Sequence, residues 1–276
     1  MLILNYNAGA SMKKQVIKNF CESRNEKMLS VKEMKNGTDS NVFLVNEKYI
    51  FKFHNENAIK SEFKFFNLYK SELNEEIIFV DKHYKFIVYK FINNGDKLFN
   101  FKELILKVKK YVDDYSDFAG DGFGFLFEEN NSWREFLEFE LNDKKDYALK
   151  VLVEKDYQKV CQAVDVIDKY EFKKKLMHGD FGLHNLLFLN GELVGIIDPQ
   201  PLIGDALYDF IFCVLSDENV AKPEIISNIY NYVSNEPKEK VDAMILFVLF
   251  GRIARCVKYN LEELNYFVEL WNKINN

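Results

Sequence analysis

The residues Met177–Asp198, MHGDFGLHNLLFLNGELVGIID, tie two carboxylates and an amide to one short ribbon. Asp180 follows His178-Gly179, and Asn185 stands five positions on, at the start of the apolar run Leu186–Leu189. Asn190-Gly191 comes next, the pair preferred for a type I′ turn because both residues accept positive φ. The second run, Leu193–Ile197, ends at Asp198. A tight turn between two strands must bring Asn185 and Asp198 close in space. An amide oxygen and a carboxylate converging there are hard donors of the kind Mg²⁺ accepts beside nucleotide phosphates. Asp180 lies at the same mouth, placed to take the proton of a hydroxyl. A base in a loop, an Asn five residues later and a metal-binding Asp are parts that phosphoryl transfer requires. His-Gly-Asp alone would recur by chance. The spacing, the hairpin and a following Gly204-Asp205 with Asp209 agree with one another.

A second group lies earlier. Lys52 sits between Phe51 and Phe53, so strand alternation puts it on the face opposite those rings. A lysine inside an apolar strand needs a partner, and Glu62 in the following helix is the best placed. In the phosphoryl-transfer scheme such a pair aims the lysine at the α- and β-phosphates. The plainer reading is a surface-edge lysine beside an unrelated acid. The turn Asn36–Asn41, with Gly37 and Ser40, could cradle phosphate through its backbone N–H groups, or be an ordinary hairpin turn. The strand Val88–Ile92 leads out of this region through Lys90 and Ile92.

Periodicity supplies the elements that must hold these groups. A helix is predicted over 12–24, strands over 27–34, 42–45 and 49–53, a helix over 57–71, and strands over 76–80 and 85–92. The result is one small antiparallel sheet with one main helix. Asn93-Asn94-Gly95-Asp96 is a polar break, the candidate hinge. Beyond it the pattern is mostly helical: 98–112, a helix opened by a capping box at Ser132 and Glu135, then 146–170, 205–216, 223–234 and 238–273. The expected division is 1–92, a nucleotide-binding lobe, and 93–276, a helical lobe with the catalytic loop, metal site and substrate site. The fold class is α+β and bilobal.

Composition narrows the partners. With 276 residues, 48% apolar and 29% charged, the chain has the balance of a globular protein with a sizeable core. Its net charge of −6 argues against nucleic acid, whose binders carry a basic face. Cys21, Cys161, Cys213 and Cys256 are scattered with no CxxC pair, which reads as reduced cysteines in a cytoplasmic protein without a zinc site. No apolar run approaches the roughly 20 residues needed to span a bilayer, and the start lacks the order of a signal peptide; Met12 could equally be the native start. Between Tyr111 and Ser132 stand six acids (Asp113, Asp114, Asp117, Asp121, Glu128, Glu129) and no Lys or Arg. This segment is either a solvated loop or part of a site for a cationic acceptor.

The His178-Gly179-Asp180…Asn185 motif, Ile197-Asp198 and Gly204-Asp205…Asp209 together resemble the aminoglycoside phosphotransferase family, choline-kinase-like relatives of protein kinases. The resemblance implies a protein-kinase-like fold and transfer of the γ-phosphate of ATP or GTP to a hydroxyl of a small molecule. It makes Asp180 the catalytic base, Asn185 and Asp198 the Mg²⁺ ligands, Lys52 with Glu62 the phosphate-binding pair, and the backbone near Lys90 and Ile92 the purine site. His178 becomes a structural histidine and Asp205 a brace of the catalytic loop; His184 reads as a loop residue. One glycine, Gly37, replaces the three of the protein-kinase loop, and Pro199 and Pro201 stiffen the segment after Asp198. An aminoglycoside-type antibiotic is the acceptor the resemblance suggests, which would make the chain a resistance enzyme. A choline, homoserine, methylthioribose or macrolide kinase, or a catalytically silent nucleotide-binding module, are the alternatives.

Overall fold

The structure is a computed structural model that describes residues 4–34, 40–95, 99–128 and 130–275. Its contacts form two compact units, Met1–Phe66 with Asn74–Asn93, and Asn67–Leu73 with Asn94–Asn276.

The first unit follows the expected order: α1 (Leu4–Ser23), β1 (Val31–Met34), β2 (Asn41–Val45), β3 (Tyr49–Phe53), α2 (Glu56–Leu68), β4 (Ile77–Val80) and β5 (Phe86–Lys90). The strands make one antiparallel sheet in the order β1-β2-β3-β5-β4. Helix α1 lays Ile17, Phe20 and Cys21 on Phe43, Val45, Tyr49, Phe51 and Val88. Phe20 meets Tyr49 and Phe51 edge-on at 5.3 and 5.0 Å, an arrangement that lets ring edges meet ring faces. Because Phe51 is committed to that cluster, Lys52 projects from the other face of β3, where α2 buries Ile59, Phe65 and Phe66. Residues 27–30, expected to be strand, carry no ladder. Asn46, in a left-handed turn conformation, takes over their backbone: its Oδ1 accepts from Leu29 and Ser30 N–H, and its Nδ2 donates to the Lys27 carbonyl.

The second unit is mostly helical. Its elements are α3 (Phe101–Asp113), β6 (Gly124–Phe125), α4 (Trp133–Ala148), α5 (Glu154–Ile167), β7 (Lys174–Met177), β8 (Leu186–Leu189), β9 (Glu192–Ile196), β10 (Leu202–Asp205), α6 (Ala206–Val214), α7 (Pro223–Ser227), α8 (Ile229–Tyr232), α9 (Lys238–Tyr259) and α10 (Leu264–Asn275). Helix α9 is the centrepiece and packs on α4, α5, α6 and α10. Ser132 caps α4 as expected, accepting the Glu135 N–H at 3.1 Å; Glu135 itself reaches back to Asn131 N–H rather than closing the box. The helix expected over 146–170 is two helices, because α4 ends at Ala148 and the Asp156 carboxylate caps a fresh start by accepting the Val153 N–H. Likewise 238–273 breaks at Asn260, whose φ of 52° is left-handed. The three-stranded sheet β6-β10-β7 was not foreseen: its strands are two to four residues long and show no alternation. Among the described residues no helix is long and apolar enough to cross a membrane, and the four cysteines are unpaired.

Candidate active site

The β8–β9 hairpin forms as its sequence demands. Asn190 and Gly191 both take positive φ, 53° and 85°, and the register runs from Leu186 opposite Ile196 to Leu189 opposite Glu192. At the open end the Ile197 N–H donates to the Asn185 carbonyl at 3.0 Å. That bond clamps Asn185 to the residue preceding Asp198. Asp198 itself is exposed, with a φ of 57°, a left-handed conformation that aspartate tolerates better than most residues.

Asp180 is drawn into the same corner. The buried Asn185 side chain donates through Nδ2 to the Asp180 carbonyl at 2.8 Å and to Asp180 Oδ2 at 3.1 Å. An amide oxygen would be repelled by that carboxylate, so the amide orientation is fixed and Oδ1 is the atom left to meet a cation. An amide oxygen and the Asp198 carboxylate on one rigid mouth are suitable oxygen donors for a hard divalent ion that completes its shell with phosphate and water. Among the described residues there is no cluster of three His, Cys, Asp or Glu side chains that would hold a metal without such help.

The loop carrying Asp180 is pinned from several sides. His178 is fully buried and its Nε2 lies 2.9 Å from the Ile197 carbonyl. A carbonyl only accepts, so Nε2 carries the proton. Burial holds the His178 pKa down at about 4, so the ring is neutral at ordinary pH. Gly179 has a φ of 81°, and a Cβ there would lie 1.9 Å from the Gln200 carbonyl oxygen. Only glycine fits. The Gly179 N–H donates to both oxygens of Asp209 at 3.2 Å, and Tyr115 Oη donates to Asp209 Oδ2 at 2.8 Å. Phe181 stacks on Tyr111 with centroids 5.3 Å apart, and the Leu183 N–H donates to Ser216 Oγ.

The brace expected of Asp205 comes from Asp209, which holds the Asp180 loop through the Gly179 N–H. Asp205, expected to do so, caps α6 by accepting the Leu207 N–H and pairs with the buried Lys240 at 2.7 Å. Burial pushes Asp209 up to about 7 against the lowering pull of the Tyr115, Gly179 and His178 donors. For Asp180, burial also acts upward, but the hydrogen bond and charge of His184, with Arg255 and His178, together outweigh it and hold the acid down at about 2. His184 Nε2 lies 3.0 Å from Asp180 Oδ2, and Arg255 reaches Asp180 Oδ1 at 3.6 Å. Neither contact was foreseen. His184 was read only as a loop residue, and Arg255 comes from a helix 75 positions away; its only signal was that α9 carries cations in a stretch without acids.

In the first unit Lys52 and Glu62 form the expected ion pair, both buried. Tyr89 Oη donates to the other Glu62 oxygen at 2.6 Å, a partner that alternation on β5 could have suggested. Lys90 is exposed and pairs with Glu76 at 3.0 Å, while its N–H is spent on the Glu76 carbonyl, so any purine contact there falls to other backbone groups. Ile92 and Ser40 are half-buried. Gly37 and most of its turn, like Asp96 and Glu129, lie outside the described residues.

A cavity of about 300 Å³ opens beside Asp180 within the second unit. Gly179, His184 and Gln200 line it with Asp180, whereas Asn185 and Asp198 do not. Among the described residues of the acidic segment after Tyr111, only Phe125 reaches it; Asp113 and Asp117 are paired with Lys109 and Lys175.

Residues 119–229 match the model of the Phosphotransferase enzyme family. No curated protein sequence matches the chain. Among solved structures, the chain is similar to a thermostable mutant of aminoglycoside phosphotransferase APH(4)-Ia in ternary complex with AMP-PNP and hygromycin B, at 15% identity and a TM-score of 0.62 over 94% of this chain and 97% of that one. It is similar to APH(2")-IIia in complex with GDP and kanamycin, at 14% identity and 0.63 over 95% and 98%. A candidate fructosamine-3-kinase from Thermobifida fusca follows at 13% identity and 0.61 over 90% and 94%. The fold is therefore protein-kinase-like, as in these neighbours, and the resemblance to the aminoglycoside phosphotransferase family is borne out over the region that holds the Asp180 loop and the β8–β9 hairpin.

Proposed function

We propose that this chain transfers the γ-phosphoryl group of ATP or GTP to a hydroxyl of a small molecule, with Asp180 as the residue that receives the hydroxyl. The observation that carries the reading is the corner in which Asn185 bonds Asp180 through its amide while its carbonyl is clamped beside Asp198. The Asp180 carboxylate is ionised throughout the physiological range, with a pKa of about 2. So weak a base orients the hydroxyl by accepting its hydrogen bond, and takes the proton late, once bonding to phosphorus has acidified it. A loose phosphoryl transition state asks for little more than that. Asn185 Oδ1 and Asp198 would hold Mg²⁺, which when bound neutralises phosphate charge. Lys52, kept in place by Glu62 and Tyr89, supplies an ammonium for the α- and β-phosphates. Positioning and preorganised charge supply most of the acceleration.

AMP-PNP and GDP beside two of the neighbours support a nucleotide co-substrate without choosing between ATP and GTP. Hygromycin B and kanamycin in the same structures support an aminoglycoside-type acceptor as one candidate, and the fructosamine-kinase neighbour supports a metabolite hydroxyl as another. The test is transfer of labelled γ-phosphate by the purified protein to a panel of both kinds. Asp180→Ala should lower transfer by about 10²–10⁴-fold while nucleotide affinity holds. Loss of nucleotide binding together with transfer would make Asp180 structural. A wild-type protein that binds nucleotide tightly but phosphorylates neither an acceptor nor water would be a silent binding module.

A further inference from the structure

The cavity beside Asp180 is walled on one side by the last turns of α9. Arg252, Arg255 and Lys258 recur there at every third position, and no Asp or Glu occurs on the chain between Asp242 and Glu262. Lys144 joins them from α4, lying over Gly251, where a Cβ would already be 3.4 Å from its side chain. Four cations therefore line the space next to the reacting carboxylate. Their acids are few. Glu140 is taken by Lys144, and Arg252 is half sunk and paired with Glu263. Arg255 shares Asp180 at the long distance of 3.6 Å. Lys258 has no carboxylate within ion-pair distance among the described residues; its ammonium rests 5.4 Å from the Tyr147 ring and 5.7 Å from Tyr259. Among the described residues, Asp143, exposed, is the one lining carboxylate without a cation at ion-pair distance. The helix dipole accounts for a lysine in the last turn of α9, but fades before Arg252 and Arg255.

A polycation would be poorly served by such a wall. Each ammonium brought in would face Arg255 and Lys258 across a few ångströms, with Asp143 alone to receive it once Asp180 is engaged by the hydroxyl. At about 300 Å³ the cavity also sits at the small end of ligand sites. Resting on the phosphotransferase reading, we propose that the acceptor is a small hydroxyl compound bearing an acidic group, a carboxylate or a phosphate ester. Arg255 and Lys258 receive that group, and the rings of Tyr147, Tyr208 and Tyr259 wall its carbon frame.

The test uses the full chain with Mg²⁺ and labelled ATP or GTP. Glycerate, 4-hydroxybutyrate and glucose 6-phosphate are compared with kanamycin and hygromycin B, for transfer and for ligand-dependent thermal shift. Transfer to, or stabilisation by, at least one acidic compound is expected, the carboxylates and the sugar phosphate separating the two kinds of acid group. Lys258 is exposed, so Lys258→Glu should fold normally. It should raise the KM or Kd for that compound by about tenfold or more, as expected for removing one charged contact, with nucleotide affinity unchanged. Response to the aminoglycosides alone, no response to any acidic compound, or a Lys258→Glu protein that handles them unchanged would each overturn the proposal. Transfer to kanamycin and to no acidic compound would do so while upholding the phosphotransferase reading; absence of all transfer and all nucleotide binding would strike that reading instead.

Discussion

Replacing Asp209 by Asn should change how stability depends on pH more than it changes stability at any one pH. The Asp209 carboxylate is fully buried, with a pKa of about 7 against 3.8 for an exposed aspartate. The folded-state pKa is raised, so the contribution of this acid is fully present below pH 3.8 and is lost as pH climbs towards 7. The full shift of roughly three units corresponds to about 4 kcal/mol at 1.36 kcal/mol per unit. Between pH 5 and pH 8 about 2.5 kcal/mol of that is lost, because the unfolded chain is already largely ionised at pH 5. Asparagine keeps the shape and can still accept the Gly179 N–H, but does not ionise. Denaturant unfolding of both proteins at pH 5 and pH 8 should therefore show the wild type losing roughly 2–3 kcal/mol more than Asp209→Asn over that interval. A difference between the two proteins that is the same at both pH values would refute the buried, near-neutral carboxylate and with it the account of how the Asp180 loop is braced.

Two further changes probe the same framework. Gly179→Ala forces a Cβ to within 1.9 Å of the Gln200 carbonyl at a φ of 81°, so melting by circular dichroism should reveal a loss of several kcal/mol and transfer should vanish with it. Lys52→Met takes the ammonium from a buried Glu62, which should cost about 3–5 kcal/mol, and Glu62→Gln in the same chain should restore part of it; a double variant no more stable than the single one would contradict the pairing.

The parts of this molecule that were legible in the sequence are those governed by local rules. Asn190-Gly191 between two apolar runs dictates its own turn, and the Asn185–Asp198 corner follows from the turn. Lys52 on the face opposite Phe51 and Phe53 follows from strand alternation, and its partner from the need of a buried ammonium for a carboxylate. The strands of the β6-β10-β7 sheet were missed because two to four residues carry no period. The break between α4 and α5 was missed because the apolar spacing continues across it, while its cause, a side-chain cap from Asp156 to Val153, has no periodic signature. That Asp209 rather than Asp205 braces the Asp180 loop has the same origin. Which acid bonds Gly179 depends on how α6 sits against Tyr115 and Lys240, residues far apart in the chain.

The environment of Asp180 was the least legible feature and bears most on mechanism. Spacing identifies the carboxylate; it does not say that His184 and Arg255 approach its two oxygens from different elements. Two cationic or donor groups on one carboxylate make it a poor base, and a strong base is not what a dissociative transfer requires. What the transfer requires is a fixed acceptor that holds one lone pair towards the incoming hydroxyl. Asn185 and His184 supply the fixing, both within 3.1 Å of Oδ2. In the proposed transfer Oδ1, which Arg255 approaches at 3.6 Å, is the oxygen left for the hydroxyl. On that reading the two oxygens of one side chain do different work, Oδ2 as anchor and Oδ1 as acceptor, and the arginine beside Oδ1 stands in the wall of the cavity.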